Sequence, residues 1–361
     1  MGRHDDSAGD SISAADDSVG DARLRPVDPH HPDAGVIGDA AAALRAGRLV
    51  AFPTETVYGL GANAFDPVAV AAVFAVKGRP MSDPLILHVA SVDDAISLTA
   101  RWSDAASALA EAFWPGPLTL VLDRSERVID GVTGGGSTVA VRLPAHPVAE
   151  GLIRAAGVPV AAPSANRFGR VSPTTAAHVA SELGPDVSIV IDGGPTQLGV
   201  ESTVIDLTAR LPRVLRPGGV SLEDLRGLLG DVDHVERDVH PVDEVAISPG
   251  SSLAHYSPDT PLTLVEGDPA LVGALEGRLA VRGLTSMALA LPADSATAAR
   301  DLYSLLRALD TTGVDLALAR LVDPSGIGRA VNDRLYRAAH GRLVVDADDA
   351  TVDRLVSLVR P

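Results

Sequence analysis

Between about Val36 and Leu229, short runs rich in Val, Ile, Leu and Thr alternate with helix-length stretches. That alternation restricts the chain to an α/β architecture more firmly than any single residue does. The β-rich runs are LVAFPT at 49–54, LILHVA at 85–90, PLTLVL at 117–122, TVAVRLP at 138–144, VPVAAP at 158–163, VSIVID at 187–192 and STVIDL at 202–207. Helix candidates lie between them: Asp66-Pro67 opens PVAVAAVFAVK and Gly78 closes it, HPVAEGLIRAAG follows, and TTAAHVASELG ends at Gly184. The pattern predicts a large, twisted sheet mixing parallel and antiparallel strands, flanked by helices.

Residues 231–260 carry Pro, Gly, Ser and alternating charge with little periodicity, and read as a linker. Beyond it come PLTLVEG, DPALVGALEGRL, SMALALP, SATAARDLYSLLRALDTTG, DLALARLV and a last helix near GIGRAVNDRLYRAA, which predict a smaller α/β domain over 261–361. The first twenty or so residues are Asp, Ser, Ala and Gly without apolar periodicity, so 1–25 reads as a disordered acidic tail and the first domain spans 26–230. A length of 361 residues fits that division, being more than one core usually organises.

Composition removes several classes of chemistry. With no cysteine there are no disulfides, thiolate metal sites, iron-sulfur clusters or cysteine nucleophiles. No run of about 18 apolar residues spans a bilayer and the N-terminus lacks the apolar core of a secretory signal, so the expected location is cytoplasmic, with no membrane partner. Thirty basic against 47 acidic residues give a formal charge of −17, whose averaged field repels polyanions; any anion must be held by a local cationic cluster. Screening makes such a cluster feasible, because charges beyond roughly 8 Å are largely silenced at physiological salt. The only lysine is Lys77, every other strong base being arginine, and the two are not interchangeable at a shaped site.

Three stretches carry candidate chemistry. PTETVYGLGANAF at 53–65 packs hydroxyls, a carboxylate and close glycines; it reads as a ligand-approaching turn or as an ordinary strand-to-helix loop capped by Asp66. In KGRPMSDPL, at 77–85, helix-stop signals explain Gly78 and Pro80, while Lys77 beside Arg79 reads as a two-cation claw for phosphate or carboxylate. APSANRFGRVSPTT, at 162–175, offers Ser172 or Thr174 as a helix cap and leaves Ser164, Asn166 and Arg170 as donors at a strand end, where α/β sheets bind ligands. GVESTVIDL and VLRPG add Ser202, Thr203 and Arg216, and His88, placed mid-strand, reads as a core histidine or a ligand contact. No P-loop, H-E-x-x-H or G-x-S-x-G occurs.

In this order and spacing, FPTETVYGLGANAFD, VKGRPMSDPLILHV, WPGPLTLVL, TVAVRLPAHP, VPVAAPSANRFGRVSPT, IDGGPTQLGVESTVID and VLRPG closely resemble the YrdC-like domain of the threonylcarbamoyl-AMP synthases, over about 35–230. SPGSSLAHYSP and the C-terminal unit resemble the two-domain branch, whose second domain is α/β and Rossmann-like. The resemblance implies a nucleotidyltransferase making threonylcarbamoyl-adenylate and pyrophosphate from L-threonine, bicarbonate and ATP, for the N6-threonylcarbamoyl modification at position 37 of tRNA. It implies Lys77 and Arg79 as the catalytic K-x-R pair. Thr56, His88, Arg142, Ala162 and Ser202 are implied at threonine, and Arg79, Asp83, Thr138, Ser164, Asn166, Ser172 and Arg216 at ATP, with Mg²⁺ carried on the nucleotide. Implied partners are the downstream tRNA threonylcarbamoyl-transferase proteins, with at most weak tRNA contact. Asp83 stands where the family commonly has Asn, and Ser252, Leu253 and Ala254 stand where a lysine- and tyrosine-rich segment usually precedes the His-Tyr pair. Two rival readings are a non-catalytic RNA-binding module, which the charge disfavours, and carbamoyl transfer of the hydrogenase-maturation type, which the lack of cysteine weakens.

Overall fold

The computed structural model describes residues 23–234 and 255–359; the tail reading over 1–22, most of the linker reading, including Ser252, Leu253 and Ala254, and the last two residues lie outside them. Two sheets organise the described chain. The first contains β1 (Leu24–Pro26), β2 (Val50–Phe52), β3 (Gly59–Asn63), β4 (Ile86–His88), β5 (Leu118–Asp123), β6 (Thr138–Arg142), β7 (Val160–Ala161), β8 (Ile189–Asp192), β9 (Thr203–Asp206), β10 (Arg213–Arg216) and β11 (Asp233–His234). Their order is β1-β8-β2-β3-β7-β4-β6-β5-β9-β10-β11. β4 runs parallel to β6 and β5 to β9, whereas β3, β7 and β4 are successively antiparallel, so the sheet is mixed as the alternating pattern predicts. The second sheet holds β12 (Leu262–Val265), β13 (Ser286–Leu289), β14 (Leu316–Ala319) and β15 (Leu343–Val344), all parallel, in the order β13-β14-β12-β15.

Helix boundaries follow from local chemistry. Asp66 caps Pro67–Lys77 by accepting from the Val68 and Ala69 amides at 2.9 and 3.2 Å, and Gly78 ends that helix at φ 63°. His146 caps Pro147–Ala156 through Nδ1, and Gly157 stops it at φ 66°. Ala176–Leu183 is capped by Thr175, not by Ser172 or Thr174, because the Ser172 hydroxyl donates to a carboxylate instead. Other differences from the sequence reading have physical causes. The second half of the 53–65 stretch is β3 and not a loop: Gly61 sits where Phe52 and Val160 leave no room for a side chain. β1 starts at Leu24, inside the span read as tail, held by parallel pairing to β8. β15 and the helix Asp349–Val359 follow the helix Gly328–Ala338 that the sequence reading took as the last.

Strand alternation divides the first sheet into two faces. Leu85, Leu87, Val139 and Val141 pack into the main core, with Leu118, Leu120, Val70 and Val73. Ile86, Ala140, Val121 and Val204 point the other way. Part of that second face is covered by the helices Ala34–Arg45 and Pro147–Ala156, whose Leu44, Val148 and Leu152 pack on Phe52, Val160 and Ala162. The C-terminal domain covers the neighbouring part: Val57, Val171 and Val200 belong to one apolar cluster with Leu302, Tyr303, Leu306, Val331 and Leu335. The Arg329–Glu223 ion pair at 2.9 Å, the Arg170–Asp259 pair and the Arg307–Glu182 pair at 2.9 Å tie the seam.

The cradle at Gly61 is measurable. A Cβ there would meet Phe52 Cε1 and Val160 Cγ1 at 2.8 Å each, whereas at Gly151 the nearest atom is 3.8 Å away. Gly61→Ala should lower stability by about 1–3 kcal/mol. Gly151→Ala, in a helix, should leave stability unchanged or raised by about 0.5–1 kcal/mol. Denaturant midpoints at constant slope measure both.

Candidate active site

Between the two coverings of the second face lies a partly open cavity of about 50 Å³. The alternation that sends Leu87 and Val141 into the core sends their neighbours His88 and Arg142, which face each other across β4 and β6, into this cavity. Thr54, Thr56 and Gly59 enter from the β2–β3 connection, Ala162 and Ser164 from beyond β7, Glu201 and Ser202 from ahead of β9, Arg216 from the end of β10 and Arg79 from beyond the Pro67–Lys77 helix. His255 and Tyr256 close it from the start of the C-terminal domain.

Three buried guanidinium groups line a hollow inside an acidic protein; Arg142 and Arg79 are each paired with a carboxylate, and Arg216 is bonded to Ser202. Arg142 lies 2.8 Å from Glu55, with both side chains 5% exposed, and its Nε donates to the Gly116 carbonyl at 3.3 Å. Arg79 lies 2.9 Å from Asp83 and donates to the carbonyls of Asp83 and Pro84. Burial raises the Asp83 pKa, opposed by Arg79, Lys77 and Arg216. Arg216 donates to the Ser202 carbonyl at 3.0 Å and to its hydroxyl at 3.1 Å, and that hydroxyl lies 2.7 Å from Thr119 Oγ1. Gly218 permits this arrangement, because a Cβ there would fall 2.2 Å from the Thr203 nitrogen. Burial and the Arg142 charge bring the His88 pKa down to about 3, so its imidazole is neutral at physiological pH. His88 ends β4, against its mid-strand reading, and its ring meets Phe52 edge-on at 6.4 Å.

Of the residues singled out in the sequence, the cavity brings together Thr56, Arg79, His88, Arg142, Ala162, Ser164, Ser202 and Arg216. Lys77 does not line it. Its ammonium donates to the carbonyls of Ser164, at 2.6 Å, and Asn166, clamping the S-x-N turn from behind instead of forming half of a claw with Arg79. Asn166 likewise ties the turn, donating to Arg167 and Arg170 carbonyls. Thr138 stands at the start of β6, away from the lining, and Ser172 is buried behind it with its hydroxyl on Glu201 at 2.7 Å. Glu201 was missed, and Glu55 was noted only as the carboxylate of the 53–65 stretch, without a role. Their only signal was a charge inside otherwise apolar or hydroxyl-rich runs, PTETV and GVESTV. His255 and Tyr256 were read as part of the linker; they are buried, His255 meeting the Phe168 ring edge-on at 5.8 Å.

The buried lysine gives a clean titration. Burial first, then the neighbouring Arg79, brings the Lys77 pKa from 10.5 down to about 7. Because the folded value lies below the unfolded one, the unfolded chain binds more protons between the two, and stability rises with pH across that window; below about 7 both states carry the proton and this slope vanishes. With one lysine and no cysteine, few other side chains titrate there. Unfolding free energy should therefore climb from roughly pH 7.5 to 9.5, and Lys77→Met should flatten the climb. Denaturant melts across that range check it.

Comparison with known proteins agrees with this architecture. A family model described as "Telomere recombination" matches residues 42–218, and one described as "Threonylcarbamoyl-AMP synthase, C-terminal domain" matches 220–340. The chain is 41% identical over 326 residues to the threonylcarbamoyl-AMP synthase of Bacillus subtilis (strain 168), an alignment covering 85% of this chain and 94% of that one. With its namesake from Pyrococcus abyssi it shares 43% over 325 residues, 84% of this chain and 94% of the other. The crystal structure of P. abyssi Sua5 complexed with L-threonine is similar at a TM-score of 0.85 and 42% identity, over 89% of this chain and 99% of that one. No described helix is long and apolar enough to cross a membrane. With both domain models matched in order and both long relatives covered nearly end to end, this chain belongs to the threonylcarbamoyl-AMP synthase family, in its two-domain branch.

Proposed function

We propose that this protein is an L-threonylcarbamoyladenylate synthase, a nucleotidyltransferase that consumes L-threonine, bicarbonate and ATP and releases pyrophosphate. The observation that carries the chemistry is the convergence of Arg79, Arg142 and Arg216 on one cavity of a chain with a net charge of −17. An amino acid carboxylate and a triphosphate are anions, and inside this molecule they meet cations held in low dielectric.

Arg142 receives the threonine carboxylate, with neutral His88, Thr56 and the Ala162 backbone around the rest of the amino acid. Arg79, Ser164 and Arg216 receive the nucleotide, while Lys77 and Asn166 keep the Ser164 turn in shape. Ser202 lies between the two sides, bonded to Arg216. The threonine amine condenses with bicarbonate, losing water, and an oxygen of the resulting carbamate attacks the α-phosphorus as the bond to pyrophosphate breaks. The protein contributes in-line placement and charge neutralisation, with no covalent intermediate on the chain. Mg²⁺ carried on ATP would supply further neutralisation of phosphate charge. The arginines and hydroxyls of the cavity fit phosphate oxygens, and Asp83, implied on the ATP side, is paired with Arg79.

The cavity arginines are 4–7% exposed, which gives a tRNA backbone no access to them and leaves the RNA-binding reading without a supporting feature. The adenylate is handed to transferase proteins that act at position 37 of tRNA, in the cytoplasm.

Purified protein should release pyrophosphate from ATP only when threonine and bicarbonate are both present; equal release without threonine overturns the assignment. Arg142→Lys should raise KM for threonine by about 10–100-fold, because a planar fork is replaced by a point charge worth roughly 1.4–2.8 kcal/mol less to a carboxylate. An unchanged threonine KM removes Arg142 from that role.

A further inference from the structure

Glu201 joins the two domains at the cavity wall. The segment that carries it is built into the C-terminal domain: Gly199, at φ 73°, approaches the helix Ser295–Leu309 so closely that a Cβ would sit 2.5 Å from the Ala299 carbonyl oxygen. Val200 lies in the apolar cluster formed by Leu302, Tyr303, Leu306 and Val331. The carboxylate that follows is 6% exposed and accepts from both domains. Tyr303 Oη, with one proton to donate, lies 2.9 and 2.7 Å from its two oxygens, and Arg334 Nε donates at 2.8 Å. From the first domain, Ser172 Oγ donates at 2.7 Å. The next residue, Ser202, carries both the carbonyl and the hydroxyl to which Arg216 is bonded.

A carboxylate on the wall of an anion site is a hazard. It repels phosphate, and it competes for Arg216, the cation that phosphate needs. Tyr303 and Arg334 remove that hazard by occupying both oxygens from the far side. Arg334 is itself fixed: fully buried, ion-paired with Asp333 at 2.5 Å, and stacked over the Tyr256 ring at 5.1 Å.

We propose that Glu201 is a positioning residue through which Tyr303 and Arg334 of the C-terminal domain keep Arg216 oriented toward the nucleotide, so that the ATP side of the cavity is complete only with that domain docked. The inference rests on the proposed function, which places ATP against Arg216. It assigns the second domain a role in the first step of the reaction without contact to either substrate. When Tyr303 lets go, Glu201 turns toward Arg216 and ATP binding weakens, while the threonine side, held by Arg142 and Glu55, is spared.

The test is pyrophosphate release by the full chain, with KM for ATP and for threonine measured separately. Tyr303→Phe removes the hydroxyl alone and should raise KM for ATP about tenfold, leaving kcat and the threonine KM within about threefold. Adding Glu201→Gln to Tyr303→Phe should recover most of the ATP KM, because a neutral amide does not compete for Arg216; a merely structural contact would instead show a second, additive loss. Should Tyr303→Phe fail to fold, Arg334→Lys probes the same carboxylate, retaining the charge but losing the fork. An unchanged ATP KM in the folded variant, equal rises in both KM values, or a double variant worse than the single overturns the inference. A wild-type chain without threonine-dependent release would instead overturn the proposed function, and the two failures are read from different samples.

Discussion

Burying a guanidinium inside a protein is costly unless carboxylates or other hydrogen-bond acceptors are buried with it, and this constraint shapes the molecule from its strand registers to its domain seam. Arg79 has Asp83, Arg142 has Glu55, and Arg334 has Glu201 and Asp333. In an isolated buried pair, removing one partner strands the other's charge at a cost of about 3–5 kcal/mol. The partners are therefore part of the fold and not decorations of the site. They also set the protonation pattern: burial alone would raise the Glu201 pKa, but Arg334 and Arg216 outweigh it and hold it at about 2, so this carboxylate stays ionised throughout the physiological range. His255, buried beside Lys77 and Arg79, is driven well below its ordinary pKa and adds no charge to a place already crowded with cations.

The pairing reconciles two facts that pull in opposite directions. A charge of −17 disperses over the surface, where salt screens it, while the arginines act across a few ångströms of low-dielectric interior. Without ligand their fields close on the neighbouring carboxylates. A substrate anion arriving in the cavity meets a guanidinium already oriented, which lowers the cost of ordering the site. Period-two alternation accomplishes the placement. His88 and Arg142 point into the cavity for the same geometric reason that Leu87 and Val141 point into the core.

The same contrast between local and long-range forces explains what the sequence disclosed. Elements written by local signals were legible: the Asp66–Gly78 helix frame, the seven apolar runs that became β2 and β4–β9, and the second α/β unit. β3 was not, because glycine is a poor strand former. Only the contact with Phe52 and Val160, distant in sequence, makes glycine necessary at position 61. β1, β11 and β15 are two or three residues long and owe their existence to a paired neighbour. Within the site, residues embedded in hydroxyl-rich or basic motifs were found, and the motif order identified the family. The roles of Glu55 and Glu201 escaped because a lone carboxylate in an apolar run carries no mark of the arginine it will meet, from as far away as residue 334. Lys77 was noticed for its rarity, yet rarity did not reveal its target: two main-chain carbonyls 87 and 89 residues away.

What the second domain adds is a consequence of where its apolar core stops. That core does not end at the seam; Val57, Val171 and Val200 from the first domain complete it, and two of the three adjoin polar residues that face the cavity or back its wall, Thr56 before Val57 and Glu201 after Val200. Val171 directly precedes Ser172, whose hydroxyl reaches Glu201. Each insertion thus fixes the backbone one residue away from a polar side chain of the site, and close packing transmits a shift of the C-terminal domain to the cavity with little slack. Tyr256 joins the same cluster, stacked on Tyr303 at 5.6 Å and adopting φ 63°, a conformation that tyrosine rarely takes. The ring holds that conformation because Tyr303 and Arg334 offer it a seat, and through it His255 is set against the cavity. One pair of C-terminal residues, Tyr303 and Arg334, therefore anchors both the carboxylate in the cavity wall and the aromatic group beside it.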